Sequence, residues 1–331
     1  RSAQVISQAL KFIAISAGIT ALIPLGLILS QPVTPIEPAA PTLDFTSLLQ
    51  DKPQAEEAPS IDPETIYMRD GYGLQVRSYS NGDGPLIVLV HGSGWNGLQF
   101  SHLAPQLAGT VLAPDLRGHG AHPGRRGDVN YIGQMEDDLA DLITARVGPD
   151  QKVVLIGHSS GGGLVVRFAG GAQGDLLDGA VLLAPFLHHS APTMRANSGG
   201  WAQPLLRRII GLSMLNAVGV SAWNHLPVIQ FNMPAEVLQG PLGHLATTSY
   251  SYRLNQSYAP RSDYLSDIRS LPKFLLLAGA QDEAFIAEAY RPLMEAETDK
   301  GAYQILEDTG HLDLVDAPQT LAAIRGYLDA F

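Results

Sequence analysis

The chain has 331 residues, 45% of them hydrophobic and 16% charged, so it can bury a sizeable core and is not globally disordered. A formal net charge of −11 argues against a nucleic-acid-binding protein, which would normally carry a basic face. The absence of cysteine excludes disulfides, thiolate catalysis and cysteine-ligated zinc sites.

The first predicted element is a transmembrane anchor within residues 1–30. The stretch from Phe12 to Leu29 is mostly apolar and just long enough to span a bilayer. Because Arg1 and Lys11 precede it and acidic residues follow, the positive-inside rule predicts a cytoplasmic N-terminus and an exported remainder, periplasmic in a bacterium. A cleaved signal peptide and a buried core helix are the alternatives.

Residues 31–63 are predicted to form a Pro-rich acidic linker. Its prolines recur at every third position, which is the period of a polyproline II helix: Pro32, Pro35, Pro38 and Pro41. Acidic residues then dominate, and Lys52 is the single cation of the segment. We therefore expect a stalk that holds the following domain away from the bilayer.

From residue 64 to residue 331 the sequence alternates apolar strands with helical stretches. The predicted strands are 64–70, 74–80, 85–91, 109–114, 152–157, 179–184, 273–278 and 302–307. Continuous apolar runs such as Leu86–Val90 are typical of strands buried on both faces. This alternation predicts an α/β fold with a mostly parallel eight-stranded sheet, helices on both faces and an active site at the carboxyl ends of the strands.

A candidate nucleophile follows the strand 152–157. The residues there read Gly157-His158-Ser159-Ser160-Gly161, a G-x-S-x-G pattern between a strand and a helix. The two glycines allow a strained turn to close around Ser159. Ser160 does not fit this register, because His158 stands where the pattern needs glycine.

A serine nucleophile needs a base and an orienting acid, which follow it in the order acid, then histidine. His311 is the one histidine after the final predicted strand. Asp282 directly follows the strand 273–278 and is the preferred acid, with Glu283 and Asp313 as competitors.

Two backbone amides must hold the oxyanion formed by serine attack. We expect them at Ser160, which follows the nucleophile, and at Ser93, in the loop after the strand 85–91. We expect His158 to pack the turn and His91 to hold the loop by a hydrogen bond. The residues predicted to border the substrate are His91, Gly92, Trp95 and His158.

The alternation stops between about residues 186 and 260, where a helical cap insert is predicted. Trp201 to Phe231 is mostly apolar, and Arg207 and Arg208 are its formal charges. Such a cap could accept an acyl chain, or its apolar side chains could form its own small core.

These motifs resemble the α/β-hydrolase superfamily, and in particular its monoacylglycerol lipase and lysophospholipase-like (serine aminopeptidase-like) branch. The resemblance also rests on His91-Gly92, on Asp115-Leu116-Arg117-Gly118-His119-Gly120 and on Pro123-Gly124-Arg125-Arg126-Gly127. It implies a triad of Ser159, Asp282 and His311 with oxyanion amides at Ser93 and Ser160. Ser160 departs from the methionine that lipases of this branch often carry, which makes the pocket floor more polar.

The sequence thus predicts a membrane-tethered serine hydrolase that cleaves carboxylic esters through an acyl-enzyme on Ser159, without cofactor or metal. Monoacylglycerols or lysophospholipids are the expected substrates. The alternatives are a short-chain esterase, a thioesterase or a peptidase of the same fold, or a catalytically idle anchored scaffold.

Overall fold

The computed structural model describes residues 2–34, 36, 43–45 and 61–330. The strands of this part of the chain are β1 (Glu64–Tyr67), β2 (Gly73–Asn81), β3 (Leu86–Val90), β4 (Gly109–Asp115), β5 (Val153–His158), β6 (Gly179–Leu183), β7 (Ala202–Pro204), β8 (Pro227–Phe231), β9 (Ser249–Ser251), β10 (Lys273–Gly279) and β11 (Gly301–Leu306). The helices are α1 (Ser2–Leu29), α2 (Gln134–Arg146), α3 (Ser160–Ala169), α4 (Leu206–Ala217), α5 (Ala235–Gln239), α6 (Tyr252–Tyr258), α7 (Tyr264–Arg269), α8 (Tyr290–Glu295) and α9 (Pro318–Leu328).

A large sheet of eight strands organises the molecule, in the order β1-β2-β4-β3-β5-β6-β10-β11. The pairs β1–β2 and β2–β4 are antiparallel, and the remaining pairs are parallel. The predicted α/β sheet is therefore confirmed, and most strand ends differ from the predicted ones by a residue. β1 ends earlier than expected, at Tyr67, because the backbone then turns through a hydrogen bond from Gly71 to Met68.

The central strands form the core because their side chains are apolar on both faces. All five residues of β3 are buried, and so are all six of β5. Parallel pairing of β3 with β5 and of β5 with β6 brings the carboxyl ends of these strands to one edge. The loops that carry chemistry leave the sheet at this edge.

The insert between β6 and β10 is mixed, whereas the sequence predicted a helical cap. It contains α4, α5, α6 and an antiparallel sheet in the order β7-β8-β9. In β8, Val228 and Phe231 are buried and their neighbours are half-buried, a burial pattern that suits a short strand at a surface. Two of the three cap strands have only three residues each, too short for a periodic sequence signal.

The helix α1 is long and apolar enough to cross a membrane. Within Gln4–Leu29, a window of 18 residues has a mean hydropathy of 2.3, and most side chains of this window are not buried. Only its last turns pack on the cap, where Ile28 is buried against Leu212, Val228 and Tyr252.

Part of the predicted linker lies against the folded domain instead of forming a free stalk. The Oε1 of Gln31 accepts a hydrogen bond from the backbone of Arg207 at 2.9 Å, and the carbonyl of Thr34 accepts one from Gln230 at 3.0 Å. The side chains of Leu43 and Phe45 are buried in the main core. Residues 35, 37–42 and 46–60 of the linker, with three of its four periodic prolines, lie outside the described residues.

Candidate active site

The nucleophile candidate sits on a strained turn between β5 and α3. Ser159 has a φ of 55°, in the left-handed region that residues other than glycine rarely adopt. A Cβ at Gly157 would lie 2.4 Å from the carbonyl oxygen of Gly161, and one at Gly161 would lie 2.1 Å from that of Val90. The two flanking glycines are therefore a steric requirement of this turn, as the G-x-S-x-G pattern predicted.

Asp282 and His311 meet at the carboxyl edge of the sheet. Asp282 follows β10, His311 follows β11, and the two strands are parallel neighbours. The Nδ1 of His311 donates to the Oδ2 of Asp282 at 2.8 Å, and each residue is only 2% exposed. This bond fixes the imidazole tautomer, so that Nε2 is free to act as a base.

Asp282 is held in its ionised form. Burial works to raise its pKa, but the neighbouring His311, through its charge and its hydrogen bond, and two backbone amides together lower the pKa below its usual range. The amides of Ala284 and Phe285 each donate to Oδ1 at 2.8 Å. Both carboxylate oxygens are thus engaged.

The two competitors for the acid position take other places. The Oε2 of Glu283 accepts a hydrogen bond from the backbone amide of His311 at 2.8 Å, so Glu283 contacts the main chain of the histidine and not its ring. Asp313 begins the short 3-10 helix Asp313–Val315 that follows the histidine. The geometry therefore favours Asp282.

Ser93 and Ser160, the predicted oxyanion residues, both border the cavity beside Ser159. The Oγ of Ser93 accepts a hydrogen bond from the indole of Trp201 at 3.0 Å. The next residue, Gly94, donates its amide to the hydroxyl of Tyr250 at 2.7 Å. Cap residues thus fix the loop that is predicted to supply one oxyanion amide.

A chain of hydrogen bonds joins the same loop to the catalytic histidine candidate. The amide of Gly92 donates to Oε1 of Gln99 at 2.9 Å, and Nε2 of Gln99 donates to Nδ1 of His158 at 2.7 Å. The Nε2 of His158 then donates to the carbonyl of His311 at 3.0 Å. Burial and the charge of His311 lower the pKa of His158 to about 3, so His158 stays neutral and keeps its donor and acceptor roles.

His91 is fully buried and is not among the residues that border the cavity. Its Nε2 accepts from the amide of Leu116 at 3.1 Å, and its Nδ1 donates to the carbonyl of Gly92 at 2.8 Å. Burial lowers its pKa to about 4. The structure thus gives His91 the loop-holding role expected of it, while Gly92, Trp95 and His158 border the cavity.

The cavity has two lobes that meet at Ser93, Ser159 and Trp201. The first, here called the His311 lobe, is bordered by Leu43, Phe45, Gly92, Ser93, Trp95, Gln99, His158, Ser159, Trp201, Met233, His311 and Leu312. The second, the cap lobe, is bordered by Ser93, Ser159, Ser160, Phe186, Ser198, Trp201, Ala202, Ile229, Phe231, Tyr250, Asn255, Tyr258, Ala259, Ala284 and Phe285. Neither set contains a lysine, arginine, aspartate or glutamate.

Several cavity residues were not predicted from the sequence. Gln99 lies in a short helical turn after β3 and carried no motif. Leu43 and Phe45 belong to the predicted linker, where nothing in the pattern indicated burial. Trp201 lies in the apolar stretch that was assigned to the cap, and the apolar composition of this stretch was the sequence signal that could have placed Trp201 near the site.

Solved structures with the same fold include esterases and lipases. A soluble variant of monoglyceride lipase from Saccharomyces cerevisiae has a TM-score of 0.61 at 15% identity, with 84% of this chain and 98% of that chain covered. A membrane phospholipase A described as a bacterial virulence factor has a TM-score of 0.57 at 18% identity, with 99% of this chain and 98% of that chain covered. At these identities the likeness shows the fold alone.

Sequence relatives match over a shorter stretch. An uncharacterised protein of Mycobacterium tuberculosis is 34% identical over 111 residues, which cover 33% of this chain and 32% of the relative. The chain thus spans about a third of the length of the curated relatives it first matches. The alpha/beta hydrolase family matches residues 87–324, which include the elbow, Asp282 and His311. Since this match covers more than half of the chain, the protein belongs to the alpha/beta hydrolase family.

Proposed function

We propose that the protein is a serine hydrolase that cleaves uncharged carboxylic esters through an acyl-enzyme on Ser159. The observation that carries this proposal is the 2.8 Å bond between His311 and Asp282 beside a serine on a strained strand-to-helix turn. Ser159 and His311 border the same lobe, so nucleophile and base face one substrate space.

In the proposed reaction, the Oγ of Ser159 attacks the ester carbonyl carbon while Nε2 of His311 takes the hydroxyl proton. The carbonyl oxygen becomes an oxyanion that accepts hydrogen bonds from the amides of Ser93 and Ser160. The imidazolium, stabilised by Asp282, then protonates the alcohol oxygen as its bond to carbon breaks. Water, deprotonated by His311, attacks the acyl-enzyme and releases the acid.

The character of the cavity supports an uncharged lipid ester. The cap lobe is lined mainly by apolar and aromatic side chains, including Phe231 and Ile229, and such a lining suits the hydrocarbon of an acyl chain. Among the described residues, those that border the two lobes include no lysine or arginine that could neutralise a phosphate. Of the two expected lipid classes, a monoacylglycerol therefore suits the site better than a lysophospholipid. The similarity in fold to a monoglyceride lipase agrees with this choice.

We also propose that α1 anchors the protein in a membrane, with the catalytic domain on the extracytoplasmic side. Its exposed apolar side chains, among them Phe12 at 73% and Leu22 at 64%, favour an apolar surrounding, which the described part of the chain does not supply. The fold-level similarity to a membrane phospholipase A over nearly the whole chain supports the same reading. Resistance to alkaline extraction and protease access to a C-terminal tag from outside would test it; a soluble protein after cell lysis would contradict it.

The test of the catalytic proposal is hydrolysis of an ester panel by detergent-solubilised full-length protein. The panel contains short acyl esters, long-chain monoacylglycerols, lysophospholipids, an acyl thioester and an aminoacyl amide. We expect long-chain monoester cleavage that disappears in Ser159→Ala and persists in Ser80→Ala, where an exposed serine is changed. Labelling by a fluorophosphonate probe should show the same dependence on Ser159.

The other outcomes identify the alternatives. Cleavage of short esters alone would point to a general esterase, and preference for the thioester or the amide to a thioesterase or peptidase. Activity that survives Ser159→Ala would refute the assigned nucleophile. No cleavage and no probe labelling would favour the idle scaffold.

A further inference from the structure

We propose that Leu43 and Phe45, from the segment between α1 and the first strand, form the wall that contacts the alcohol group of the ester. This inference rests on the proposed function, since it assigns one side of the same site. It adds two specificity-determining residues from a part of the chain far from the family motifs, which begin at β3.

The segment is packed into the site. Leu43 is 3% exposed and Phe45 is 6% exposed, and both border the His311 lobe. The ring of Phe45 lies 5.6 Å from that of Trp201, centroid to centroid, and the two planes are tilted by 41°. Between them, the amide of Asp44 donates to Oε1 of Glu283 at 3.1 Å. The hydrogen bond of Asp44 and the buried side chains of Leu43 and Phe45 thus hold these three consecutive residues in place.

The position of His311 shows which part of the substrate this lobe would receive. In ester cleavage the same imidazole that takes the serine proton must protonate the departing alcohol oxygen, so the alcohol lies on the histidine side of Ser159. His311 borders only the lobe that Leu43 and Phe45 border. Ser160 borders the cap lobe instead, which leaves that lobe for the acyl group.

The chemistry of the wall defines the alcohol that it would accept. Leu43 and Phe45 face the lobe together with Trp95, Met233 and Leu312, all of which are apolar or aromatic. The two side chains border this lobe together with Ser159 and His311. An uncharged alcohol with a hydrocarbon or aryl body would bury apolar surface there, and a methyl group would bury much less of it.

The test compares three esters of decanoic acid that differ only in the alcohol: methyl, glyceryl and benzyl. In full-length detergent-solubilised protein, Phe45→Ala and Leu43→Ala should each lower kcat/KM for the benzyl ester about tenfold. We expect a change of less than about twofold for the methyl ester, and Phe45→Leu should recover most of the benzyl activity. Val33→Ala, an exposed apolar residue of the same segment, is the matched control and should leave all three values unchanged.

Failure of the inference can be told apart from failure of the proposed function. The first case is that the fluorophosphonate probe labels Ser159 and the protein cleaves all three esters. If Phe45→Ala then lowers kcat/KM equally for the three esters, or for none of them, the segment does not form the wall that contacts the alcohol group. A rise for all three esters would instead make the segment a cover over the site and would equally overturn the inference. If the unaltered protein shows neither probe labelling nor Ser159-dependent cleavage of any ester, the proposed function itself is refuted.

Discussion

Glu283 holds His311 from its main-chain side: its Oε2 accepts the backbone amide of the histidine at 2.8 Å. Its other oxygen accepts the amide of Asp44. The histidine is therefore fixed at three points: Asp282 binds the ring, Glu283 binds the amide, and His158 binds the carbonyl. Pre-positioning of this kind matters because the base must reach both the serine and the departing oxygen.

We expect Glu283→Ala to lower kcat by about tenfold, with a smaller effect on KM, because a charge-assisted hydrogen bond to the histidine backbone is lost. Glu283→Gln keeps one carbonyl oxygen as an acceptor and should lose less. Steady-state kinetics on a short-chain ester would measure the split, with Glu288→Ala as the exposed control on the same loop. Equal activity of Glu283→Ala and the control would show that the histidine needs no support from this side.

Asp282→Asn should lower kcat by about 10⁴-fold, since the amide cannot stabilise an imidazolium and favours the wrong tautomer of His311. Its fold should persist, because the side-chain oxygen of asparagine can still accept the two backbone amides that now bind Oδ1. Asp313→Asn is the control, since Asp313 follows the histidine without contacting its ring in the described structure. If Asp313→Asn had the larger effect, the acid would be misassigned.

The large sheet and the triad candidates could be predicted because their signals are local. Continuous apolar runs mark the buried strands β5 and β10, and Ser159 and Asp282 lie within three residues of the ends of these strands. His311 lies five residues after the end of β11. Once the strands are placed in a parallel sheet, their carboxyl ends must lie at one edge, and the three side chains come together.

The cap sheet and the linker contacts could not be predicted because their causes are non-local. The hydrogen bond between Asp44 and Glu283 joins residues that are 239 positions apart in the sequence. Asp44 belongs to a segment whose composition indicates an extended spacer. The burial of Phe45 depends on Trp201, which no periodic pattern relates to it. The hydrogen bond from Gln99 to His158 likewise depends on the tertiary structure, because the two residues are 59 positions apart.

Three buried histidines should make the fold acid-sensitive. Burial is the main cause that lowers the pKa of His91 to about 4 and of His119 and His158 to about 3. In the unfolded chain they titrate near 6.5, so below that pH the unfolded state binds more protons and stability falls. Between pH 7 and pH 5 the loss is roughly 2 kcal/mol per histidine, an order-of-magnitude value.

Urea unfolding of the detergent-solubilised protein at pH 7, 6 and 5 would measure this loss. His119→Gln should make the pH dependence shallower by about one third, because one of the three groups no longer titrates. His122→Gln removes an exposed histidine and should leave the slope unchanged. A free energy of unfolding that is constant from pH 7 to pH 5 would mean that the buried rings accept protons in the folded state.

The turn that carries Ser159 should not tolerate a side chain at Gly161. A Cβ there would lie 2.1 Å from the carbonyl oxygen of Val90 and 2.5 Å from that of His91, and both are backbone atoms at the end of β3. The start of α3 would have to move away from β3, carrying the nucleophile and the Ser160 amide with it. We therefore expect Gly161→Ala to lower kcat/KM by about 10²-fold or more and to destabilise the fold by about 1–3 kcal/mol.

Gly326→Ala is the matched control, because no atom of the described residues lies within 4 Å of a Cβ at this position in α9. Here the same substitution should stabilise the fold by about 0.5–1 kcal/mol, since alanine loses less backbone entropy in a helix, and should leave ester hydrolysis unchanged. Thermal unfolding and kinetics of the two variants side by side would separate the steric effect from the general effect of alanine. Full activity in Gly161→Ala would contradict the predicted clash between a Cβ at this position and the backbone at the end of β3.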